Sequence, residues 1–228
     1  MFVVIKTCIF DMDGTLFNTL EDIANAGNHA LARLGYAGHP SDSYMAFIGD
    51  GIDNIIRQAL PEQGRTDENV KAALPLMVEH YDRHLTACTR PYDGVHEMLR
   101  RLRDKGISLC VVTNKEDQQA RRLVKTFFPD IRFLAVRGER KGSHIKPDPT
   151  DALECARLSG ASPAECAFIG DSSGDVHTGR NAGMACFCVD WGYRSREYLE
   201  ALEPDAIAST PEELFDIIVN YPKHAVNP

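Results

Sequence analysis

Apolar residues change their period twice along the chain. Residues 1–10 carry a near-continuous apolar run, with Val3, Val4 and Ile5 followed by Cys8, Ile9 and Phe10; this predicts a buried strand. The spacing then turns helical up to about residue 87. Leu20, Ile23, Ala24, Leu31 and Leu34 recur at three- and four-residue steps, and Gly35 suits the position just past a helix end. Thr19 with Asp22 three residues on predicts a capping box at the start of that helix. Ile52, Ile55, Ile56 and Ala59 predict a shorter helix ended by Pro61. Val70, Ala73, Leu74, Met77, Val78, Tyr81 and Leu85 predict a third, with a kink or restart at Pro75.

Beyond residue 94 strands and helices alternate. Helices are expected over 94–105, 116–126, 149–158, 175–182 and 211–219, and strands over 107–113, 133–136, 166–169, 184–189 and 206–208. Alternation of this kind implies an α/β fold: a Rossmann-like parallel sheet with right-handed crossovers and helices on both faces. The first strand must join that sheet to satisfy its backbone groups. The predicted organisation is a core of residues 1–15 and 88–228, with an all-helical segment, 16–87, inserted after strand one.

Composition narrows the function. A chain of 228 residues with 43% hydrophobic and 25% charged positions buries about 70% of its unfolded surface, so it needs no staples. Lys plus Arg is 25 against 33 for Asp plus Glu, a formal net charge of −8. That balance discourages nucleic acid and anionic membrane surfaces as partners. It also disfavours an anionic substrate unless the site neutralises itself locally. Seven cysteines, most of them in apolar runs and none in a C-x-x-C pair, predict buried reduced thiols and a cytoplasmic setting. Cys186 and Cys188 flank Phe187 and would share one strand face; a redox or metal role is the second reading for them. The N-terminal apolar run is too short for a signal peptide, and no run approaches a membrane span.

In an open parallel sheet, ligands gather at the carboxyl ends of the strands. Asp11 and Asp13 follow the first strand, and Thr113, Asn114 and Lys115 the second. Lys146-Pro147-Asp148-Pro149 precedes a helix, and Gly170-Asp171-Ser172-Ser173-Gly174-Asp175 follows a later strand. Asp11, Asp13, Asp171 and Asp175 on one edge would repel one another, with Lys146 returning a single positive charge. A hard divalent cation relieves such a cluster, and oxygen ligands beside a phosphate suit Mg²⁺. A carboxylate in that setting can attack phosphorus, and a second two residues on can serve as acid and base.

The D-M-D-G-T run at Asp11 resembles the first motif of the haloacid dehalogenase superfamily of phosphatases. V-V-T-N-K at Val111, K-P-D-P at Lys146 and G-D-S-S-G-D at Gly170 resemble its second, third and fourth motifs, in order and over nearly the whole chain. The resemblance implies that Asp11 is the nucleophile and a Mg²⁺ ligand. Asp13 would be the acid/base, with its backbone carbonyl on the metal. Thr113 and Lys146, with backbone N–H groups near Gly14 and Asn114, would hold the phosphoryl group. Asp171 would bind Mg²⁺, and Asp175 would bind it or support a ligand. The carboxylate at Asp13 favours phosphoryl transfer over dehalogenation. The helical insertion looks like the family's C1 cap. Asn114-Lys115, Gly49-Asp50-Gly51 and Trp191-Gly192-Tyr193 are similar to the phosphoglycolate phosphatase group, and neighbouring pyrophosphatases and the β-phosphoglucomutase group share them. The implied partner is a small phosphorylated metabolite, with 2-phosphoglycolate the first choice, and the enzyme would be a monomer or homodimer. Substrate selection is expected from Gly49, Asp50, Gly51, Arg57 and Lys115. Lys71 sits among charged neighbours, which argues against a Schiff-base role.

Blander readings exist for each group. Asp11 and Asp13 could form a turn, Lys146 could sit in an exposed loop, and Asp175 could cap its helix. His80 and His84, four apart on a helix, are expected on a solvated face, and Trp191 in packing or at a partner surface. Gly170 to Gly174 also fits G-x-S-x-G, the serine-hydrolase elbow, with Ser172 as nucleophile. That fold needs a downstream histidine, and the sequence offers His177 and His224. A binding protein that lost turnover is a third class, but every chemical position is occupied.

Overall fold

The computed structural model describes the backbone of residues 2–221 and 223–224 and the side chains of 4–221. Ten strands and nine α-helices are assigned among these residues. The first apolar run is two strands: β1 (Phe2–Val3) and β2 (Thr7–Phe10). Val4 and Lys6 are exposed between them. Met1, part of the expected strand, lies outside the described residues. β3 (Phe17–Asn18) follows, then α1 (Leu20–Arg33), α2 (Ile52–Ala59) and α3 (Asp67–His84). Short 3₁₀ turns at Ser41–Ala46 and Glu62–Gly64, which the periodicity does not predict, join these helices. β4 (Arg90–Pro91) pairs antiparallel with β3, so the chain leaves for the helical segment and returns through one two-stranded neck.

Alternation then proceeds as expected: α4 (Val95–Asp104), β5 (Ser108–Glu116), α5 (Asp117–Phe127), β6 (Ala135–Glu139) and α6 (Thr150–Ser159). It continues with β7 (Cys166–Gly170), α7 (Ser173–Asn181) and β8 (Ala185–Val189). A short α8 (Arg196–Glu200), not anticipated, precedes β9 (Ala206–Ala208) and α9 (Pro211–Asn220). β10 (Lys223–His224) pairs with β1.

The main sheet has the order β6-β5-β2-β7-β8-β9, and all of its pairings are parallel. Its side chains alternate between two cores, as a period of two requires. Cys8, Phe10, Leu109 and Val111 face α4, α5 and α9, while Ile9, Cys110, Val112 and Phe168 face α6. β2 lies at the centre. The chain builds outward to β5 and β6 on one side, then to β7, β8 and β9 on the other. The order therefore reverses at β2, and the crevice at that point is where such sheets bind ligands.

Two local expectations fail for physical reasons. Thr19 precedes α1 but makes no capping bond; its hydroxyl donates to Asp13 Oδ1 at 2.8 Å. Asp22 instead accepts from the N–H groups of Cys88 and Thr89 and from Thr89 Oγ1 at 2.8–3.0 Å. Both side chains found buried partners that outweigh a local cap. Pro75 does not restart α3, which runs through it. Pro75 is exposed, so water can reach the carbonyl that the missing N–H leaves without a partner.

Candidate active site

Asp11 leaves β2 at the switch point, and its N–H donates to the Ile169 carbonyl of β7 at 2.8 Å. Asp171 follows β7, and Asp175 sits in the first turn of α7. All three are buried, and one carboxylate oxygen from each falls within 4.8 Å of the others. Lys146 Nζ bridges two of them, 2.7 Å from Asp11 Oδ1 and 2.6 Å from Asp175 Oδ1. Asp175 also closes a capping box with Ser172, accepting from its N–H at 3.0 Å and its hydroxyl at 2.6 Å. It thus caps α7 and faces the acidic centre at once.

Electrostatics at this centre favours a cation. Burial pushes Asp171 up to about 8, and Asp175 and Asp11 add repulsion; the Tyr193 N–H and the Arg194 charge pull it back only in part. Burial also raises Asp11 to about 6 against the pull of Lys146. Burial alone would lower Lys146, but Asp11 and Asp175 more than reverse this and raise it. Lys146 therefore stays charged yet leaves the cluster short of positive charge. Three crowded carboxylate oxygens in a buried site form a hard-oxygen donor set, which fits a divalent cation. Gly14 keeps space for it: at φ +83° a Cβ there would lie 2.3 Å from Asp171 Oδ2.

Asp13 stands beside this centre. Lys115 Nζ lies 2.9 Å from each of its carboxylate oxygens, and Thr19 donates to Oδ1. Tyr193 supports Thr19, its hydroxyl accepting from Thr19 N–H at 2.8 Å. Lys115 reaches Asp13 because β5 runs on to Glu116 instead of stopping at Thr113. Val112 pairs with Arg137 and Glu116 with Glu139, so four steps of β5 span two of β6. The excess arches over the crevice and carries Thr113, Asn114 and Lys115. Gly138 permits the arch, since a Cβ there would meet the Lys115 carbonyl at 2.6 Å.

Asp11, Asp13, Thr113, Asn114, Lys115 and Asp171 line one cleft, which Gly49 and Gly51 line from the helical segment. Several expected roles move. The Gly14 N–H donates to the Phe17 carbonyl at 2.9 Å, so it is spent before a phosphate arrives, and the part left to Gly14 is steric. The expectation for Asn114 concerns its backbone N–H; its side chain has a separate part, donating to the carbonyls of Gly49 (3.0 Å) and Lys146 (3.3 Å) and accepting from Lys146 N–H at 2.8 Å. It ties the lysine loop to the helical segment. Asp50 is exposed and outside the cleft lining, and Arg57 pairs with Asp67 on the surface at 2.8 Å.

Ser172 lines the cleft, but its hydroxyl serves Asp175 and no histidine is among the cleft's lining. His177 is exposed, and the His224 side chain lies outside the described residues. His80 and His84 stack ring on ring, 4.3 Å between centroids, away from the cleft. Cys186 and Cys188 are buried. Trp191 Nε1 donates to the Thr15 carbonyl at 3.1 Å and so packs the loop after β8 against the Asp11 loop. Tyr193, the last residue of the Trp191-Gly192-Tyr193 run, and Arg194 after it line the cleft; no motif marks Arg194 in advance.

The sequence matches the family described as haloacid dehalogenase-like hydrolase over residues 8–189. A phosphoglycolate phosphatase of Thiobacillus denitrificans is 33% identical over 215 residues, spanning 92% of this chain and 93% of that protein. One of Nitrosospira multiformis is 33% identical over 218 residues, spanning 94% and 96%. A solved structure from Lactobacillus delbrueckii subsp. bulgaricus, described provisionally as a phosphoglycolate phosphatase, superposes with a TM-score of 0.90 at 29% identity. The match covers 96% of this chain and 100% of that one.

Proposed function

Because the chain belongs to the haloacid dehalogenase-like hydrolase family and is a phosphatase, we propose that it hydrolyses 2-phosphoglycolate with Mg²⁺ through an aspartyl-phosphate on Asp11. The observation that carries this reading is the buried trio of Asp11, Asp171 and Asp175 bridged by Lys146 at the switch point of the sheet. Asp11, Asp171 and Asp175 would hold Mg²⁺, with the Asp13 backbone carbonyl as the family resemblance implies. Bound there, the metal supplies the positive charge that lets a phosphate approach a carboxylate.

Asp11 attacks phosphorus, and the leaving oxygen departs. Thr113 and Lys146 hold the phosphoryl oxygens, and Lys146 also fixes the direction of the Asp11 carboxylate. Lys115 and Thr19 set the position of Asp13. An entering phosphate competes for Lys115 and releases Asp13, which takes up a proton from the entering phosphomonoester or from water and hands it to the leaving oxygen. Asp13 then takes a proton from the water that attacks the aspartyl-phosphate and restores Asp11. Residues 16–87 act as a cap over the core of 1–15 and 88–228 and exclude bulk water during the reaction. No helix among the described residues is long and apolar enough to cross a membrane, and the buried thiols suit a cytoplasmic enzyme.

A phosphate-release panel tests the reading: 2-phosphoglycolate, sugar phosphates, pyrophosphate and p-nitrophenyl phosphate, each with Mg²⁺ or EDTA. The highest kcat/KM is expected for 2-phosphoglycolate, with loss of activity in EDTA. A sugar phosphate or pyrophosphate ranking first would overturn the substrate. Activity that persists in EDTA would overturn the metal.

A further inference from the structure

We propose that Arg194 binds the second anionic group of the substrate, the carboxylate of a phosphorylated acid, at the helical side of the cleft; this role rests on the phosphatase reading above. The other cations near the cleft are already matched. Lys146 stands between Asp11 and Asp175, and Lys115 grips both oxygens of Asp13. Arg57 is on the surface with Asp67.

Arg194 differs from all three. Among the described residues its guanidinium donates to two neutral acceptors, the backbone carbonyls of Met45 and Ile48, the latter at 2.9 Å. Among the described residues no carboxylate is in ion-pair contact with it. Its charge reaches Asp171 only at longer range, and a planar fork with five N–H donors has some left for a carboxylate. Its place is fixed from the core. Tyr193 N–H donates to Asp171 Oδ2 at 2.7 Å, which pins the residue before Arg194 to the acidic centre. From that anchor Arg194 crosses the cleft to the 3₁₀ turn Ser41–Ala46 and the residues just after it. A small substrate with its phosphoryl group at Asp11 would then meet a cation at its other end. The same guanidinium touches the helical segment, so a bound carboxylate would also hold that segment against the core.

The test compares kcat/KM for 2-phosphoglycolate with that for ethyl phosphate, which keeps the phosphoryl ester and lacks the carboxylate. It does so in the wild type, Arg194→Gln and Arg194→Lys. Gln keeps N–H donors for the Met45 and Ile48 carbonyls without the charge, and Lys keeps the charge. The ratio is internal to each protein, so a partly misfolded preparation does not distort it. The wild type is expected to prefer the acid. Arg194→Gln should lose about 30-fold of that preference, mainly through the KM for the acid, and Arg194→Lys should keep most of it. A preference that survives Arg194→Gln would overturn this role and leave the phosphoglycolate reading standing. A wild type with no preference would overturn both.

Discussion

On the sheet side of the cleft Asp11, Lys146, Asp171 and Asp175 are buried, and Lys146 holds Asp11 and Asp175 within 3 Å. On the helical side the lining is Ile23, Ile48, Ile52, Ile55, Met77 and Tyr81, with Gly49 and Gly51. That wall presents no charged side chain to the cleft. Asp11, Asp171 and Lys115 sit at or just past strand ends of the six-stranded sheet, Asp175 in the first turn of α7 and Lys146 in the loop that Asn114 ties down, and small displacements there are costly. The apolar wall belongs to helices joined to the sheet through the β3–β4 neck. It can exclude water and select shape, and it reaches the charged wall through Asn114 and Arg194. Reaction and selection are thus divided between two differently built walls.

The sharpest test of that division is Lys146→Met. The substitution leaves Asp11 and Asp175 facing each other without a counter-charge. We expect kcat to fall about 1,000-fold and metal-free stability to fall by about 3–5 kcal/mol, read by urea unfolding. Wild-type kinetics in this variant would remove the charged wall from the chemistry. Asp22→Ala is the helical counterpart. It strips the N–H groups of Cys88 and Thr89 of their acceptor and should cost about 3 kcal/mol of stability, with kcat within about threefold of wild type. A collapse of kcat without loss of stability would break the division.

Acidity gives a smaller effect with a definite sign. Asp11 and Asp171 are raised to about 6 and about 8 from an ordinary value of 3.8. Between pH 4 and 8 these groups bind more protons in the folded protein than in the unfolded chain, so their contribution to stability falls as pH rises. In EDTA the melting temperature should drop by several degrees from pH 5 to 8, and saturating Mg²⁺ should flatten that slope. A melting temperature in EDTA that climbs over this range would contradict the burial of uncompensated carboxylates. The smallest effect is expected for Arg57→Ala, which lies outside the cleft. The KM for 2-phosphoglycolate should stay within about twofold, and a large rise would return Arg57 to the selecting wall.

Sequence periodicity carried the alternation of strands and helices and the parallel sheet it implies, and the four motifs marked Asp11, Asp13, Thr113, Lys146, Asp171 and Asp175, because strand ends and turn residues are local signals. Long-range pairings were not visible in this way. The end of β5 was misplaced because Asn114, Lys115 and Glu116 are polar and break the apolar run, while the arch depends on Gly138 across the sheet. Thr19 and Asp22 have capping-box spacing, but the partners of Asp22 lie 66 and 67 positions away. Arg194 carries no motif, since its significance comes from carbonyls almost 150 positions earlier in the chain. Arg57 looked like the nearest cap cation by position, and Asp67 one helix later claims it.

The account turns on Asp11 as the group that takes the phosphoryl. Intact-protein mass spectrometry of enzyme acid-quenched during turnover of 2-phosphoglycolate with Mg²⁺ tests this directly, with peptide mapping of the adduct. The account predicts one added phosphoryl group on Asp11 that is missing from Asp11→Asn. Steady turnover with no covalent adduct, or an adduct mapped to Ser172, would contradict it.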